Sequence, residues 1–122
     1  MNIVITGSTR GIGRGLAEEF LRRGHNVVIS GRDEGAVGAA VAVLSSLGPG
    51  QVAGAAAEVS DLVAIERLWD LACQRFGRVD LWINNAGMTN RKVPLADVPP
   101  AEIAAVVSTN LTGLAFGCQV AL

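Results

Sequence analysis

Three glycines near the start of the chain, Gly7, Gly11 and Gly13, have the spacing of an anion-binding turn. They follow a short apolar run, Ile3–Ile5, and precede a segment whose apolar residues recur with helical spacing from Ile12 onward. A helix start carries backbone N–H groups without partners and a dipole that favours anions, and glycine leaves room for phosphate groups to approach. The pattern Gly-x-x-x-Gly-x-Gly therefore predicts a dinucleotide site, with an ordinary glycine-rich strand-to-helix turn as the alternative.

Strand-like and helical patterns alternate along the whole chain. The strands are predicted over 3–5, 26–30, 51–59 and 80–84, and the helices over 11–23, 37–47, 62–76 and from Pro99-Pro100 onward. This alternation predicts an α/β fold, a Rossmann-type doubly wound parallel sheet with strand order 3-2-1-4 and helices on both faces. Ligands of such sheets bind at the carboxyl ends of the strands. The distinctive polar and glycine residues follow those ends, at 7–13, 31–32, 58–61 and 84–87.

The residues after the second strand indicate which dinucleotide would bind. The strand ends at Gly31, which offers no carboxylate for a ribose hydroxyl, and Arg32 follows it directly. Asp33 is better explained as a helix cap. Arg10, inside the glycine turn, supplies a second guanidinium, and two guanidiniums suit a phosphate dianion. The sequence therefore favours NADP over NAD, with a solvated Arg32 in an ordinary turn as the alternative.

Asn110 falls on or beside the apolar stripe predicted for the last helix. That stripe comprises Ile103, Val106, Val107, Leu111, Leu114, Cys118 and Leu122. Because a buried amide is costly unless it is hydrogen-bonded and Asn is a poor helix former, the residue marks either a kink or a boundary position near a helix end.

Composition excludes several other classes of protein. The 122 residues carry a net charge of −1, which gives no electrostatic case for nucleic acid. Half of the residues are hydrophobic, yet no uninterrupted apolar run reaches the ~18 residues of a membrane span. No signal peptide is evident. Cys73 and Cys118 are isolated and His25 has no ligand partner nearby, so we expect a cytoplasmic protein without a metal site.

Together these residues resemble the short-chain dehydrogenase/reductase family. The resemblance lies in Thr6–Gly13 as the glycine motif, Asn84–Gly87 as the Asn-Asn-Ala-Gly motif, and Asn110 within Ser108–Leu111 as the helix asparagine. Within the family, the last two segments are most similar to chlorophyll b reductase-type members. The resemblance implies hydride transfer between NADP(H) and a small-molecule carbonyl or alcohol substrate. It also implies a homo-oligomer that pairs through the last helix.

The resemblance also assigns the site residues. It gives Asn110 a catalytic role, places Ile12 beneath the nicotinamide, and brings Glu58 and Val59 to the adenine, where the family usually has Asp rather than Glu. The full set implied to bind cofactor is Gly7, Ser8, Thr9, Arg10, Gly11, Ile12, Gly13, Arg32, Glu58, Val59, Asn85, Ala86 and Gly87. No metal ligand is implied.

The proton donor of the family is missing from these residues. The family uses a Tyr with a Lys four residues later, but this sequence has no Tyr, and Lys92 is its only lysine. The periodic pattern of the last helix also runs to Leu122 without a stop signal. We therefore expect 1–122 to be a cofactor-binding domain truncated within its last helix and inactive alone. The alternative is a non-catalytic dinucleotide-binding module or remnant.

Overall fold

The fold follows the predicted alternation of strands and helices. A computed structural model of the protein describes all residues from Met1 to Leu122. Its elements are β1 (Asn2–Ile5), α1 (Gly11–Arg22), β2 (Asn26–Gly31), α2 (Glu34–Leu44), β3 (Val52–Ala56), α3 (Leu62–Phe76), β4 (Leu81–Ile83), a 3₁₀ turn (Leu95–Asp97), α4 (Pro100–Val107), a π-helical turn (Ser108–Thr112) and α5 (Gly113–Ala121).

The four strands form one parallel sheet in the order β3-β2-β1-β4, which confirms the predicted topology. The central strand β1 pairs on both sides, and Ile3 is in register with Val27 of β2 and Leu81 of β4. A parallel strand needs apolar residues on both faces because helices cover both. Ile3, Val4 and Ile5 are all fully buried, as this requirement predicts.

Two apolar clusters, one on each face of the sheet, form the core. The first packs α1 and α2 on the sheet and contains Ile3, Ile5, Ala17, Leu21, Val27, Ile29, Ala40, Leu44 and Val52. The second packs α3 on the opposite face and contains Val4, Val28, Ala53, Ala57, Val59, Ile65, Leu68 and Ala72. Alternate residues of β1 and β2 thus point to opposite clusters, and helices lie on both faces as predicted.

Capping residues mark the helix boundaries, and the predicted cap at Asp33 is confirmed. The carboxylate of Asp33 accepts from Ala36 N at 2.6 Å at the start of α2, and that of Asp61 accepts from Val63 N at 3.0 Å at the start of α3. Gly24 and Gly77 follow α1 and α3 with φ of 81° and 89°, a conformation that glycine adopts without steric cost.

Three predicted elements are too long. β3 ends at Ala56 rather than at residue 59. The chain then turns toward α3, and Asp61 N donates to Glu58 O at 3.0 Å in that turn. β4 covers only Leu81–Ile83. The helix predicted to reach residue 47 ends at Leu44, although Leu47 still packs against the first cluster.

The prediction for the last helix is wrong about which face is buried. Ile103, Val107, Leu111, Leu114, Cys118 and Leu122 of the predicted stripe are all exposed. The residues that lie closest to the sheet are Gly113 and Gly117, both buried. A Cβ on Gly113 would come within 2.6 Å of Val59 Cγ2, so glycine allows this close approach. The π-helical turn adds a residue to one turn, so a stripe read at a constant 3.6-residue period loses its phase after Val107. It does not account for the exposure of Ile103 and Val107, which precede the turn.

The same helix bears on the expectation that the chain has no membrane span. Residues Pro100–Ala121 form a 22-residue helix with a mean hydropathy of 1.4, and 11% of its most apolar window is buried. By length and composition alone it is able to cross a membrane, although a core helix of a soluble protein passes the same test. The expectation relied on uninterrupted apolar runs and stays a prediction.

Candidate dinucleotide site

A cleft of about 330 Å³ lies at the carboxyl ends of the four strands, above the start of α1. This volume falls within the range of small-molecule sites, ~300–1,000 Å³. The lining residues come from the glycine turn and from the segments that follow β2, β3 and β4, together with one residue of the last helix. They are Gly7, Thr9, Arg10, Gly11, Ile12, Gly31, Arg32, Ala57, Glu58, Val59, Asn85, Ala86, Gly87, Met88 and Thr109.

The three motif positions require glycine for three different structural reasons. Gly7 has a φ of 62°, and a Cβ there would lie 2.7 Å from Ala86 Cα. Gly11 has a φ of 58° but faces open space, so its backbone conformation alone requires glycine. Gly13 is buried, and a Cβ would lie 2.6 Å from Gly7 O and also meet the amide nitrogen of Asn85. Gly13 therefore lets α1 pack closely on the turn and does not line the cleft.

Asn85 ties the ends of β1 and β4 together. Its side-chain nitrogen donates to Thr6 O at 3.0 Å and to Gly7 O at 2.8 Å. The Thr6 hydroxyl accepts from the backbone N–H groups of Asn85 and Ala86, both at 3.1 Å. These four bonds hold the glycine turn against the Asn-Asn-Ala-Gly segment. Asn85 therefore both lines the cleft and stabilises the turn beside it.

Ser8, which was predicted to bind cofactor, is fully buried behind the turn instead. Its hydroxyl donates to Ile5 O at 2.6 Å and accepts from Ser30 N at 3.0 Å, while its own N–H donates to Ser30 O at 2.8 Å. Both of its donors are engaged within the protein. Ser8 therefore joins β1 to β2 and has no donor left for a ligand.

The start of α1 differs electrostatically from the starts of α2 and α3. Its N-cap residue is Arg10, whose side chain makes no capping bond, and its first turn contains no acidic residue. The first N–H groups of a helix have no partner within it. Arg10 and Arg32 line the same cleft and neither forms an ion pair with the protein. The carboxylate of Glu58 accepts weakly from Ser60 N at 3.4 Å. The turn thus offers free donors and two unpaired cations to an anion.

Asn110 lies in the π-helical turn, and it is exposed rather than buried. Its amide oxygen accepts from Met88 N and its amide nitrogen donates to Met88 O, each at 2.8 Å. The π-helical turn Ser108–Thr112 interrupts the regular helix around Asn110, between the end of α4 and the start of α5. Asn110 does not line the cleft itself; it holds Met88, which does.

Four lining residues were absent from the predicted set: Gly31, Ala57, Met88 and Thr109. Gly31 and Ala57 immediately precede predicted members of the set, and Met88 immediately follows one. Strand ends could have indicated these three residues. Thr109 reaches the cleft from the last helix, where it directly precedes Asn110 within the Ser108–Leu111 motif.

Comparison with known proteins decides the family. The family model described as short chain dehydrogenase matches residues 1–122. The chain belongs to the short chain dehydrogenase family. This membership confirms the resemblance read from the three motifs and makes the chain a member of an oxidoreductase family.

Curated relatives of this short chain dehydrogenase include a chlorophyll b reductase-type protein, as the sequence indicated. "Chlorophyll(ide) b reductase NOL, chloroplastic" of Oryza sativa subsp. japonica is 38% identical, over 99% of this chain and 36% of its own length. "Short chain dehydrogenase/reductase dpmpG" of Macrophomina phaseolina is 40% identical, over 90% of this chain and 63% of its own. The chain therefore spans less than two thirds of the length of these relatives.

Solved structures of the family superpose closely on the chain. A short chain dehydrogenase/reductase from Burkholderia phymatum in complex with NAD has a TM-score of 0.89 and 35% identity, covering 97% of this chain and 41% of its own. An alcohol dehydrogenase from Thermococcus sibiricus complexed with 5-hydroxy-NADP has a TM-score of 0.88 and 26% identity, covering 97% of this chain and 50% of its own. A nicotinamide dinucleotide is therefore the supported class of cofactor, and the uncapped helix start fits its pyrophosphate.

Proposed function

We propose that this chain forms the NADP(H)-binding half of a short chain dehydrogenase that transfers hydride between nicotinamide and a carbonyl or alcohol substrate. The observation that carries the proposal is the start of α1, which faces the cleft with free N–H groups and no side-chain cap. α2 and α3, which follow the neighbouring strands, are each capped by an aspartate. The site for an anion is therefore specific to the glycine turn.

The residues after β2 support NADP over NAD. A carboxylate at this position normally binds the 2′-hydroxyl of NAD, whereas a cation accommodates the 2′-phosphate of NADP. The nearest carboxylate along the chain, Asp33, accepts from Ala36 N at 2.6 Å and caps α2. Arg32 and Arg10 line the cleft without ion-pair partners. A guanidinium binds a phosphate dianion by paired hydrogen bonds, so this end of the cleft suits the 2′-phosphate.

The opposite end of the cleft suits the nicotinamide. If the pyrophosphate lies over β1 and the adenosine ribose over β2, the strand order leaves the β4 side for the nicotinamide. Ile12 lines the cleft with 79% of its surface exposed, which is unusual for an isoleucine and offers an apolar platform for the ring. The bound nicotinamide supplies the hydride. The residues of this chain bind and orient it, but none is a suitable proton donor, because there is no Tyr.

The test compares NADPH with NADH in binding titrations followed by cofactor fluorescence. Arg32→Ala is expected to weaken NADPH binding by ~10-fold or more through loss of a charge-assisted bond, with NADH binding little changed. Arg75→Ala is the matched control, because Arg75 is also exposed and unpaired but lies at the end of α3, away from the cleft. Equal affinities for the two cofactors in the unchanged chain would contradict the assignment of Arg10 and Arg32.

A non-catalytic dinucleotide-binding module is the second candidate function. It is favoured by the absence of Tyr from the 122 residues, and Lys92, the only lysine, lies exposed in the loop before α4. The mass of the protein in its source cells separates the two candidates. A product of about twice 12.6 kDa that carries Ser and Tyr-x-x-x-Lys supports the enzyme, and a product of 12.6 kDa supports the module.

We further propose that the protein assembles with a second copy of itself through the last helix, as the family resemblance implies. The helix presents Ile103, Val107, Leu111 and Leu114 to solvent, which forms a continuous apolar face without charged residues. Burying such a face is favourable. Light scattering behind size exclusion is expected to give a mass above that of one chain, and a monomer at micromolar concentration would contradict this proposal.

A further inference from the structure

The segment Met88–Arg91, which we call the strap, leads from the cleft toward the loop before α4. Side chains of the last helix form hydrogen bonds with both of its ends. At one end Asn110 binds both backbone groups of Met88, and the Thr109 hydroxyl donates to Met88 Sδ at 3.4 Å. At the other end Glu102 accepts from Arg91 N at 2.6 Å and from Arg91 Nε at 2.9 Å.

The spacing of these hydrogen bonds along the helix shows the direction of the strap. Glu102 and Asn110 are eight residues apart in a helix, which corresponds to about 12 Å along its axis. Met88 and Arg91 are three residues apart, and an extended chain covers about 10 Å over that interval. The strap therefore runs alongside the helix, antiparallel to it, and is long enough to reach both contacts. Releasing either fastening frees a segment that has no regular secondary structure of its own.

The inner end of the strap is a wall of the cleft. Met88 and Thr109 line the cleft from the β4 side, whereas Arg32 lines it from the β2 side, with β1 between them. If the dinucleotide lies as proposed above, Met88 faces the nicotinamide half, on the side of the cleft opposite Arg32. A displacement of the strap should consequently affect only one end of the ligand.

The outer fastening at Glu102 is well formed for a surface ion pair. The Glu102 side chain is only 19% exposed, although that of Arg91 is 63% exposed. The hydrogen bond from the Arg91 backbone lowers the pKa of the Glu102 carboxyl, burial acts in the opposite direction, and the Arg91 guanidinium lowers it further. The carboxylate is therefore charged at neutral pH and accepts both bonds.

We propose that Glu102 is a positioning residue for the nicotinamide end of the cleft, because it holds Arg91 and thereby keeps Met88 against the ligand. This inference rests on the proposed function, since it requires that a nicotinamide dinucleotide occupy the cleft. Glu102 does not line the cleft and touches no ligand directly. Its effect must pass through the strap.

The experiment titrates the full chain with two probes, NADPH and adenosine 2′,5′-bisphosphate, which has the adenosine end but no nicotinamide. Glu102→Ala removes both bonds to Arg91 and is expected to weaken NADPH binding by about five-fold, the equivalent of one hydrogen bond, with the bisphosphate affinity unchanged. Glu102→Gln keeps an oxygen acceptor for Arg91 N and should restore most of the NADPH affinity. Glu18→Ala is the control, because Glu18 also forms ion pairs but on the exposed side of α1.

The outcomes separate this inference from the proposed function. If the unchanged chain binds neither probe, the proposed function is wrong. If it binds both and Glu102→Ala lowers both affinities equally, or neither, the positioning role is overturned while the proposed function stands. Should Glu102→Ala fail to fold, Arg91→Ala removes only the guanidinium. A two-fold loss confined to NADPH then supports the inference, and NADPH binding that is unchanged by Arg91→Ala overturns it.

Discussion

Replacing Ser8 by alanine is expected to destabilise the protein, whereas replacing its neighbour Ser30 is expected to be neutral or stabilising. Both serines are fully buried. The Ser8 hydroxyl makes two hydrogen bonds, to Ile5 O at 2.6 Å and from Ser30 N at 3.0 Å. The Ser30 hydroxyl is the one buried side-chain polar atom that has no partner. Ser8→Ala and Ser30→Ala thus remove the same hydroxyl group from the same buried region. Only Ser8→Ala removes hydrogen bonds.

The magnitude follows from the groups left unsatisfied. Removing the Ser8 hydroxyl takes a partner from two buried backbone groups, and about 1–3 kcal/mol per group gives roughly 2–4 kcal/mol after partial relaxation. With a urea m-value of about 2 kcal/mol/M, the middle of the range for small proteins, the unfolding midpoint should fall by about 1–2 M. Removing the Ser30 hydroxyl eliminates a buried polar group that has no partner. The free energy of unfolding of Ser30→Ala should therefore stay unchanged or rise by up to about 1 kcal/mol.

The assay is urea unfolding followed by the fluorescence of Trp69 and Trp82, with the slopes compared so that a change in midpoint reports stability. Equal losses in Ser8→Ala and Ser30→Ala would refute the reasoning, because they would require a partner for the Ser30 hydroxyl. In folded Ser8→Ala, NADPH affinity should change by less than about two-fold, since the hydroxyl does not reach the cleft.

Two further predictions concern the glycine turn and acid stability. Gly13→Ala should lower stability by ~1–3 kcal/mol or more and abolish NADPH binding, because the new methyl group meets Gly7 O and Asn85. Gly15→Ala in the same helix is the control, because the new methyl group meets nothing within 4 Å, and it should raise stability by about 0.5–1 kcal/mol. A loss of stability in both variants, measured by urea unfolding, would contradict this account. The pKa of Asp80 is lowered by the hydrogen bond from Asn2 N and by Arg78, so its contribution is present above the ordinary carboxyl pKa and lost as pH falls through the lowered value. Asp80→Asn should therefore reduce the urea midpoint at about pH 7 and leave it near that of the unchanged chain at about pH 2, and a constant difference across this range would contradict the prediction.

The sheet and the outline of the cleft were predictable because local patterns determine them. Apolar runs such as Ile3–Ile5 are short, rich in β-branched residues and followed within two residues by glycine, so they predict buried strands. The capping residues Asp33 and Asp61 mark helix starts through a bond between neighbours in sequence. In a parallel sheet the carboxyl ends of neighbouring strands lie at one edge, and the residues after each strand therefore meet without any further information.

The features that local patterns do not reveal depend on contacts distant in sequence. The buried position of Ser8 arises from Ser30, which lies on another strand, and no local signal separates it from the exposed Arg10 two residues later. The last helix was read at one constant period, and the π-helical turn breaks that period where Asn110 binds Met88. The most deeply buried residues of that helix are Gly113 and Gly117, with Phe116 and Val120 packed against the second cluster beside them. A period of apolar side chains cannot reveal contacts made by residues without a side chain.

The cation at the start of α1 is unfavourable in the protein without ligand, and an anion bound there, as proposed, would offset this cost. Arg10 occupies the N-cap, where the helix dipole is positive, and a charge of that sign costs about 0.3–1 kcal/mol. α2 has the opposite arrangement, with Asp33 at the N-cap and Glu34 in the first turn. An anion over the α1 turn removes the repulsion and gains the free N–H groups at the same time. Arg10 thus lowers the stability of the empty turn and raises the stabilisation that a bound phosphate provides, which couples ligand binding to folding at this helix.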